Sequence, residues 1–416
     1  MRIAVVGGSI TGCALAASLR DHGHELQVFE RSTQPLQDRG AGIVTPVPVI
    51  DSLRERGLID ADMPMLFAPG ISHVGRQGTS RLGRLSWQAP VGLARVRWND
   101  LYGQLRRRVA DEQFHGGQAV RDVRLTGDSA TPVELVLEDG RTDGFDLAVF
   151  ADGYRSRGRE QIFPASQLRY PGYCLFRGTL AEAAIDDVAP LEGRLYRISY
   201  AEGHAVFYLV AGESGDTRAG HRLLNWGMYL RLPEAKLGEY LVDIDGHRGF
   251  GSVPFGRMPP ARVRHLLATL TPHLPPYFAD LMAHPDTRYA IQVPYTCELP
   301  ACCSGRVALA GDAGMMAPPF TGSGVFKGMT NATELADCLG SSADTDSALE
   351  RWNMAQTDVG RKQTLLGTRL ADALIWNIPD FAAMSADQMA HWWDSAAKFP
   401  DEVWRDRRER QNGART

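Results

Sequence analysis

The segment VVGGSITG, residues 5–12, restricts the fold of this chain more than any other feature. The apolar run RIAVV that leads into it has the length of a strand, and TGCALAASLRDHG after it has helical spacing with Gly23 as a stop. LQVFE then indicates a second strand, which ends in Glu30. Strand, glycine turn, helix and strand make a βαβ unit, and such a unit predicts a parallel sheet.

The turn matches the dinucleotide fingerprint G-x-G-x-x-G at Gly7 and Gly12, but Ser9 occupies the middle position. Gly7 allows a tight turn, Gly12 lets helix and strand pack closely, and free N–H groups at the helix start suit a pyrophosphate. Glu30 follows Gly12 by 18 residues, close to the spacing of an acid that binds a ribose. Ordinary βα turns also use glycine, yet the whole unit favours a nucleotide, FAD or NAD. Ser9 is small, and its hydroxyl can donate to a phosphate.

Composition narrows the class of protein. A chain of 416 residues, 44% apolar and 23% charged, suits two domains or one domain with an inserted lobe. A net charge of −4 gives no basic footprint for nucleic acid, and no run approaches the ~20 apolar residues of a membrane helix. Six cysteines without a C-x-x-C pair argue against a disulfide framework and a metal site, so we expect a cytoplasmic protein. We expect the adjacent Cys302 and Cys303 to be ordinary packing or turn residues.

Two later segments repeat the design of a strand that runs into an acid. LAVFA ends at Asp152 and Gly153, and VALAG ends at Asp312, before a Pro-Pro turn and a helix predicted to begin near Gly322. The stretch GSGVFKG inside that helix is not a second dinucleotide fingerprint. Its glycine spacing is wrong, and its strand ends about ten residues too early.

Together, GGSITG with Glu30, ADG and GDAGMMAPPFTGSG resemble the FAD-dependent aromatic hydroxylases, the group A flavoprotein monooxygenases with the fold of p-hydroxybenzoate hydroxylase. The third segment aligns without gaps to that family's GDAAHPxxPxxGxG pattern, and the likeness spans roughly residues 1 to 370. YPGYCLFRGTL, HRLLNWGMYLRLPE and FKGMTNATELADCL resemble the subgroup that contains 2,6-dihydroxypyridine 3-hydroxylase, whose opening turn also carries a serine.

The resemblance implies an α/β fold with a Rossmann-like FAD-binding domain, an inserted antiparallel β-sheet substrate lobe and C-terminal helices. The implied boundaries are 1–168 and 297–375 for the FAD-binding domain, 169–296 for the lobe and 376–416 for a helical extension. FAD is the implied cofactor, with NAD(P)H as co-substrate. The residues implied in cofactor binding are Gly7, Ser9, Ile10, Thr11, Gly12, Glu30, Arg31, Arg39, Asp152, Asp312, Gly322, Ser323 and Gly324.

Individual roles also follow from the resemblance. Glu30 would bind the adenosine ribose, Asp312 the ribityl chain, and Pro319 would face the isoalloxazine ring. The amides from Gly322 to Gly324 would polarise the N1–C2 carbonyl edge, because a helix N-terminus favours negative charge there.

Some positions depart from the family pattern. Met315 and Met316 replace a histidine and a proline, and Trp98 stands where the family has an arginine. Arg95 or Arg97 would take over that arginine's phosphate contact, or the contact is lost. These changes affect the flavin environment more than the presence of flavin.

The implied reaction is hydroxylation of an aromatic or N-heteroaromatic ring, with NAD(P)H and O2 consumed and a flavin C4a-hydroperoxide as the oxygen donor. This chemistry needs no Ser-His-Asp or metal constellation. One alternative is a related flavoprotein monooxygenase that performs epoxidation or Baeyer–Villiger oxidation. Halogenation is disfavoured because the W-x-W-x-I-P segment of such halogenases is missing. A non-catalytic FAD-binding protein is the other alternative.

The segment from about 170 to 295 alternates apolar and polar residues, which predicts an antiparallel sheet over a small-molecule pocket. Alternation does not tell which face meets the flavin, so each polar residue is also an ordinary strand position. Pro319, His204, Tyr208 and His221 are the catalytic candidates, since a His or Tyr base suits a ring hydroxyl. Further candidate substrate contacts are Arg177, Asn225, Trp226 and Tyr229, with Met315, Met316 and Phe320 as an apolar wall or as core.

The C-terminal stretches ERWNMAQTDVGRKQTLLGTRLADALIW and MAHWWDSAAKFPDEVW have helical spacing. Core packing is the first interpretation of their apolar residues. A homodimer contact is the alternative, because clustered tryptophans suit interfaces.

Overall fold

The computed structural model describes residues 1–36 and 42–397. Within these ranges the strands are β1 (Arg2–Val6), β2 (Glu25–Glu30), β3 (Gly42–Pro46), β4 (Leu66–Ala68), β5 (Ile71–Gly75), β6 (Arg84–Ala89), β7 (Leu93–Arg97), β8 (Phe114–Gly116), β9 (Val120–Leu125), β10 (Val133–Leu137), β11 (Thr142–Phe145), β12 (Leu147–Phe150), β13 (Tyr173–Ala181), β14 (Leu195–Tyr200), β15 (Gly203–Val210), β16 (Leu223–Arg231), β17 (Ser252–Val253), β18 (Arg288–Gln292), β19 (Cys303–Ser304) and β20 (Val307–Leu309). The α-helices are α1 (Ile10–Leu19), α2 (Val47–Glu55), α3 (Trp98–Arg106), α4 (Arg157–Ile162), α5 (Glu234–Tyr240), α6 (Pro260–Leu270), α7 (Pro276–Ala283), α8 (Gly324–Ser341), α9 (Thr345–Ala371) and α10 (Ala386–Ala397).

A six-stranded sheet forms the cofactor half of the molecule, in the order β19-β20-β12-β1-β2-β8. The pairs from β20 to β8 are parallel, and the apolar runs of β1 and β12 are buried, as strands covered on both faces require. α1 packs against α8 and α3. The βαβ unit predicted from the first 30 residues is confirmed.

An eight-stranded sheet forms the lobe, in the order β17-β18-β13-β16-β15-β14-β5-β6. Its pairs are antiparallel except β14 with β5. The strands β5 and β6 come from residues 71–89, which the sequence analysis assigned to the first FAD-binding segment. One face of the sheet packs into an apolar core that includes Phe176, Phe207, Trp226 and Phe278 of α7. The other face packs against the C-terminal segment at β5 and β6 and meets the Pro319–Thr321 turn of the cofactor half at β15 and β16.

Two further three-stranded sheets, β3-β7-β4 and β11-β10-β9, complete the strand architecture. The predicted α/β class, with a Rossmann-type domain, a sheet lobe and C-terminal helices, is confirmed. Helix α9 runs for 27 residues and ends in a π-helical turn at Asp372–Trp376, and α10 follows. No helix in residues 1–36 and 42–397 is long and apolar enough to cross a membrane.

Candidate functional site

An open crevice lies at the carboxyl ends of β1, β2 and β12, where α/β sheets bind their ligands. It brings together residues from all three sequence motifs, although Gly7 and Gly324 are 317 positions apart. The implied cofactor-binding residues among its lining are Gly7, Ser9, Ile10, Thr11, Glu30, Arg31, Asp152, Asp312 and Gly324.

The first turn uses glycine for the steric reasons that the fingerprint predicts. Gly7 has φ +104°, and a Cβ there would lie 2.5 Å from the Ala151 carbonyl oxygen. A Cβ on Gly12 would lie 1.7 Å from the Gly7 carbonyl oxygen. Neither position accepts a side chain without movement of the backbone, so the turn approaches the next strand as closely as two backbones can.

Ser9 is the N-cap residue of α1, but its hydroxyl makes no capping hydrogen bond. The first N–H groups of a helix have no intrahelical partners, and the first residues of α1 line the crevice together with Ser9. Backbone donors and a free hydroxyl thus face one space, which fits a pyrophosphate.

Glu30 is fixed by the same turn. One carboxylate oxygen accepts the Gly8 N–H at 2.8 Å, and the other accepts the Ser32 N–H at 2.8 Å. Each oxygen of an ionised carboxylate has a second acceptor site. The buried carboxylate can therefore hold its backbone partners and still accept a hydrogen bond from a ribose hydroxyl.

Asp152 is the crevice residue whose polar atoms are least satisfied. Its Oδ2 accepts the Arg157 N–H at 2.8 Å, whereas its Oδ1 is buried and has no partner among the described residues. Burial raises the pKa of the carboxyl to about 6. An unpaired buried oxygen beside the phosphate-binding turn fits a cofactor hydroxyl, and this is the strongest structural support for FAD in the crevice.

The third motif supplies the far end of the crevice. Asp312 lies in a short helical turn whose backbone is held by the buried Arg159, which donates to the carbonyls of Asp312 and Ala313 at 3.1 and 3.2 Å. The buried Lys327 Nζ is 3.9 Å from the Asp312 carboxylate and donates to the Met315 carbonyl. Burial lowers the pKa of Lys327.

Pro319 begins a short helical turn, Pro319–Thr321, which leads to Gly322 at φ +65°. Ser323 is the N-cap of α8, which begins at Gly324, two residues after the predicted start. The positive end of this 18-residue helix therefore points out of the turn, where it suits the anionic edge of a reduced flavin.

The lobe turns its polar strand positions toward this motif. We call the side chains of His73, Arg177, Arg197, His204, Tyr208, Asn225 and Tyr229 the pocket face. These side chains lie on one face of the sheet, because residues paired across β5 and β13 to β16 point the same way and successive residues in a strand alternate. Phe320 joins them, because its ring lies 4.8 Å from Tyr229, 5.5 Å from His204 and 5.5 Å from Tyr173.

His204 is buried on the pocket face, 2% exposed, and stacks on Tyr229 at 4.8 Å. Its Nδ1 is 3.2 Å from the Leu374 carbonyl, one of the last carbonyls of the π-helical turn, which lack intrahelical donors. Nδ1 therefore carries the proton and Nε2 the lone pair. Burial, followed by the nearby charge of Arg197, lowers the pKa of His204 to about 3. The ring is a neutral acceptor at neutral pH.

Tyr208 donates its hydroxyl to the Gly42 carbonyl at 3.1 Å, and Asn225 Oδ1 accepts the Gly42 N–H at 3.2 Å. These two bonds fix β3 against the lobe. Burial raises the pKa of Tyr208 to about 12. The phenol is therefore a protonated donor, and it is unsuited to hold a substrate proton at neutral pH.

Similarity to known proteins agrees with this geometry. The family described as FAD binding domain-like matches residues 170–293, and the pyridine nucleotide-disulphide oxidoreductase family matches residues 2–58. A 2,6-dihydroxypyridine 3-monooxygenase of Paenarthrobacter nicotinovorans is 28% identical over 86% of this chain and 88% of its own length. The structure of 2,6-dihydroxypyridine-3-hydroxylase from Arthrobacter nicotinovorans superposes with a TM-score of 0.82, at 26% identity, over 91% of this chain and 93% of that one. The chain is thus similar to FAD-dependent aromatic hydroxylases along most of its length.

The protein is an FAD-dependent monooxygenase, as the motifs predict. A 3-amino-4-hydroxybenzoate 2-monooxygenase of Streptomyces cremeus is also similar, 26% identical over 82% of this chain and 78% of its own length. The crevice residues described above fit FAD, whose pyrophosphate, ribose and ribityl hydroxyls match the donors and acceptors present. Their individual roles stay predictions.

Two of the candidate residues lie elsewhere than expected. The expectation that Trp226 contacts the substrate is wrong. Its side chain is fully buried on the opposite face of the sheet, beside Phe176, because the residues before and after it in the strand point to the pocket face. His221 is a second correction. It lies in an exposed turn, 3.7 Å from the Asp216 carboxylate, outside the pocket face. Met315 and Met316 are buried in the core of the cofactor half, which is one of the two placements that the sequence allowed.

The structure also shows what surrounds Trp98, which stands where the family has an arginine. Trp98 lines the crevice and stacks on Tyr102 at 5.1 Å. Arg95 is buried away from it and donates to the carbonyls of Arg194 and Phe67. Arg97 lines an adjoining groove and donates to the Gly212 carbonyl. Arg97 as a cofactor ligand remains a prediction, and Arg39 lies outside the described residues.

Sequence reasoning missed several residues that the fold brings to these sites. Arg155 and Arg157 line the crevice, and their signal was the basic run YRSRGR directly after ADG. Lys327 lies in GSGVFKG and in FKGMTNATELADCL, but the sequence analysis gave it no role of its own. His73 and Arg197 gave no signal, because alternation alone does not show that a charged strand residue is buried.

Proposed function

We propose that this monooxygenase adds one oxygen atom of O2 to a carbon of an aromatic or N-heteroaromatic ring, with NAD(P)H as the reductant and a flavin C4a-hydroperoxide as the oxygen donor. One observation carries the proposal: the pocket face meets the Pro319–Thr321 turn through Phe320. A flat ring held against His204 and Tyr229 would lie next to the predicted isoalloxazine position. FAD, when bound, supplies the redox chemistry and the activation of O2.

The side chains of the pocket face would position the substrate and exclude water. Tyr173, Tyr229 and Phe320 provide aromatic surfaces, which suit a flat ring. His204 offers a neutral Nε2 acceptor for a ring hydroxyl or ring N–H. Proton storage by Tyr208 is not part of this proposal, because its hydroxyl is committed to Gly42.

The names of the relatives guide the choice of substrates. A 2,6-dihydroxypyridine and a 3-amino-4-hydroxybenzoate both carry hydroxyl groups on an aromatic ring. We therefore propose a substrate that carries a ring hydroxyl. Because reduced nicotinamide nucleotides are made inside the cell, this reaction is consistent with our expectation of a cytoplasmic enzyme.

The test is a substrate screen with the FAD-loaded protein. Hydroxypyridines, hydroxyquinolines and hydroxybenzoates are each added with NADH or NADPH, and nicotinamide oxidation is recorded with and without substrate. Products formed under 18O2 are then analysed by mass spectrometry. We expect one compound class to stimulate oxidation and to gain one labelled oxygen on a ring carbon.

Other results would contradict the proposal. A product without labelled oxygen excludes monooxygenation. A ring-expanded lactone or an epoxide assigns the enzyme to the related oxidations. Nicotinamide oxidation that only produces peroxide for every ring tested excludes an aromatic substrate.

A further inference from the structure

Lys327 is a buried lysine in the first turn of α8, next to the third sequence motif. It is 8% exposed. The helix begins at Gly324, and Gly324 and Val325 of the same turn line the cofactor crevice. Lysines are almost never buried unless their charge is paired. The contacts of Lys327 should therefore show why a lysine stands at this position.

The side chain of Lys327 joins the backbone of the motif to the crevice. Its Nζ donates to the Met315 carbonyl and lies 3.9 Å from the Asp312 carboxylate. The Asp312 side chain lines the crevice and is 53% exposed, so it can reach a ligand there. Within residues 1–36 and 42–397, Lys327 is the one cationic side chain within 4 Å of that carboxylate. Lys327 therefore acts on the crevice through Asp312.

We call residues 311–316 the motif turn, and buried side chains fix its backbone from behind. Lys327 donates to one of its carbonyls, and the buried Arg159 donates to two others at 3.1 and 3.2 Å. The Gly311 N–H donates to the buried Asn331 Oδ1 at 2.8 Å. A neutral donor would satisfy a carbonyl without the cost of burying a charge. The hydrogen bonds alone thus do not explain why two of the three side chains are cationic residues.

The charges around Lys327 leave an excess of positive charge behind the motif turn. The titratable groups that face it are Asp312, Arg159 and the thiols of Cys297 and Cys302. Burial raises the pKa of both thiols, so they are neutral at neutral pH. Burial lowers the pKa of Lys327 itself, whereas the Asp312 carboxylate and the carbonyl acceptor favour its ammonium form. One carboxylate therefore faces two cationic side chains.

This excess charge lies beside the predicted position of the flavin. The family resemblance assigns Asp312 to the ribityl chain and the start of α8 to the N1–C2 carbonyl edge of the ring. Reduction of FAD by two electrons and one proton adds one negative charge to the cofactor. A buried cation in the first turn of α8 would stabilise that charge, in addition to the N–H groups at the helix start.

We propose that the ammonium group of Lys327 orients Asp312 for the ribityl chain and makes bound FAD easier to reduce. Lys327 is a positioning residue, because it acts through Asp312 and through its charge. The inference depends on the binding of FAD and not on the ring substrate or on the oxygen transfer. It can therefore hold or fail independently of the proposed function.

The test measures the midpoint potential of the bound flavin, without NAD(P)H, ring substrate or O2. The FAD-loaded protein is reduced with dithionite in the presence of a dye of known potential, and flavin absorbance is recorded. Lys327→Met should lower the preference of the protein for reduced over oxidised FAD about tenfold, which makes the midpoint potential about 30 mV more negative for a two-electron couple. Lys327→Arg should recover most of this loss, because it keeps the charge.

Lys327→Gln separates the charge from the hydrogen bond, because its amide can still donate to the Met315 carbonyl. We expect it to lower the potential as much as Lys327→Met does. Lys236→Met is the matched control, since Lys236 is an exposed lysine of α5 in the lobe, and it should leave the potential unchanged. A wild-type potential in Lys327→Gln, or equal shifts in Lys327→Met and Lys236→Met, would overturn the proposal.

A second variant serves if the replacements of the buried Lys327 fail to fold. Asp312→Asn changes a half-exposed side chain and leaves the ammonium group without its counter-charge. The midpoint potential should then rise, in the direction opposite to the shift in Lys327→Met. A potential that falls or stays at the wild-type value in Asp312→Asn would contradict a charged Lys327 beside the cofactor. The proposed function fails differently, by the absence of oxygenated product in the substrate screen.

Discussion

The backbone of short turns forms much of the surface of the cofactor crevice. On the pocket face, in contrast, the surface is formed by side chains from β5 and from β13 to β16. The turn at Gly7 and Gly12 has no space for one added carbon. The pocket face instead depends on groups such as Arg197 and His204, whose hydrogen bonds reach segments far away in the chain. We therefore expect added atoms to disrupt ligand binding in the crevice, and the removal of polar groups to disrupt the pocket face.

The lobe offers a comparison within itself, between two buried arginines. Arg222 is 7% exposed and donates to the carboxylates of Glu182 and Glu192, and these partners raise its pKa. Arg197 is equally buried but has no acid beside it among the described residues. The two arginines therefore differ in their neighbours, since Arg197 contacts the rings of His73 and Trp393 instead of carboxylates.

The largest effect is expected at Gly12. Gly12→Ala should give protein with no detectable bound FAD, because the new Cβ would lie 1.7 Å from the Gly7 carbonyl oxygen and must push the turn open. The measurement is the ratio of flavin to protein absorbance after reconstitution. Gly103→Ala in α3 is the control, since a Cβ there meets nothing within 4 Å. FAD bound at the wild-type ratio by Gly12→Ala would refute this account of the turn.

The second-largest effect is expected when the two buried arginines are replaced and their free energies of unfolding are compared. Arg222→Met should lower the free energy of unfolding by about 3–5 kcal/mol, because it leaves the buried Glu182 carboxylate without its partner. Arg197→Met should change it by less than about 1 kcal/mol, since no acid loses a partner. Denaturant unfolding of both FAD-loaded variants measures the difference. Equal losses would mean that Arg197 is structural as well.

Acidic pH should lower the free energy of unfolding through the two histidines of the pocket face. Burial lowers the pKa of His73 to about 2 and of His204 to about 3, whereas both are about 6.5 in the unfolded chain. The unfolded state therefore binds more protons, and stability present above pH 6.5 is lost as the pH falls toward 3, by about 1.4 kcal/mol per pH unit for each histidine.

Unfolding curves between pH 7 and pH 5 test this expectation. His204→Gln should flatten the pH dependence relative to the wild type, and the exposed His221→Gln is the matched control that should not. A wild-type stability that is flat or rises over this interval would contradict neutral buried histidines.

The smallest effect is expected for Ser9→Gly, and a larger side chain at the same position serves as its contrast. Ser9→Gly should keep FAD bound, because it adds no atoms to the phosphate-binding turn, whereas Ser9→Val should expel it by bringing two methyl groups into the crevice. FAD dissociation constants measured by fluorescence compare the two variants. Valine without effect would mean that the backbone at this position does not approach the phosphates.

The sequence predicted the parts of the site that are local in the chain. The spacing of Gly7, Gly12 and Glu30 encodes one turn and its acid, and all three adopt the expected arrangement. The strand runs that end at Asp152 and Asp312 were equally readable, since the carboxyl ends of parallel strands meet at one edge of a sheet.

The candidates on the lobe were predicted less well, for a physical reason. Asn225 and Trp226 are adjacent in a strand and point to opposite faces. Alternation shows that their environments differ but not which side holds the flavin. His221 was chosen for its chemistry alone, and the turn that carries it ends in solvent.

By itself, the sequence determined the βαβ unit and the FAD-binding turn, because each depends on residues close together in the chain. Only the tertiary structure decided which face of the lobe becomes the pocket face, because strand pairing from β5 to β16 joins segments more than 100 residues apart. It also decided that Arg197 is buried with no acid beside it in residues 1–36 and 42–397, whereas Arg222 has two. A charge acquires its role from the groups that surround it, and those groups come from strands and helices distant in the chain.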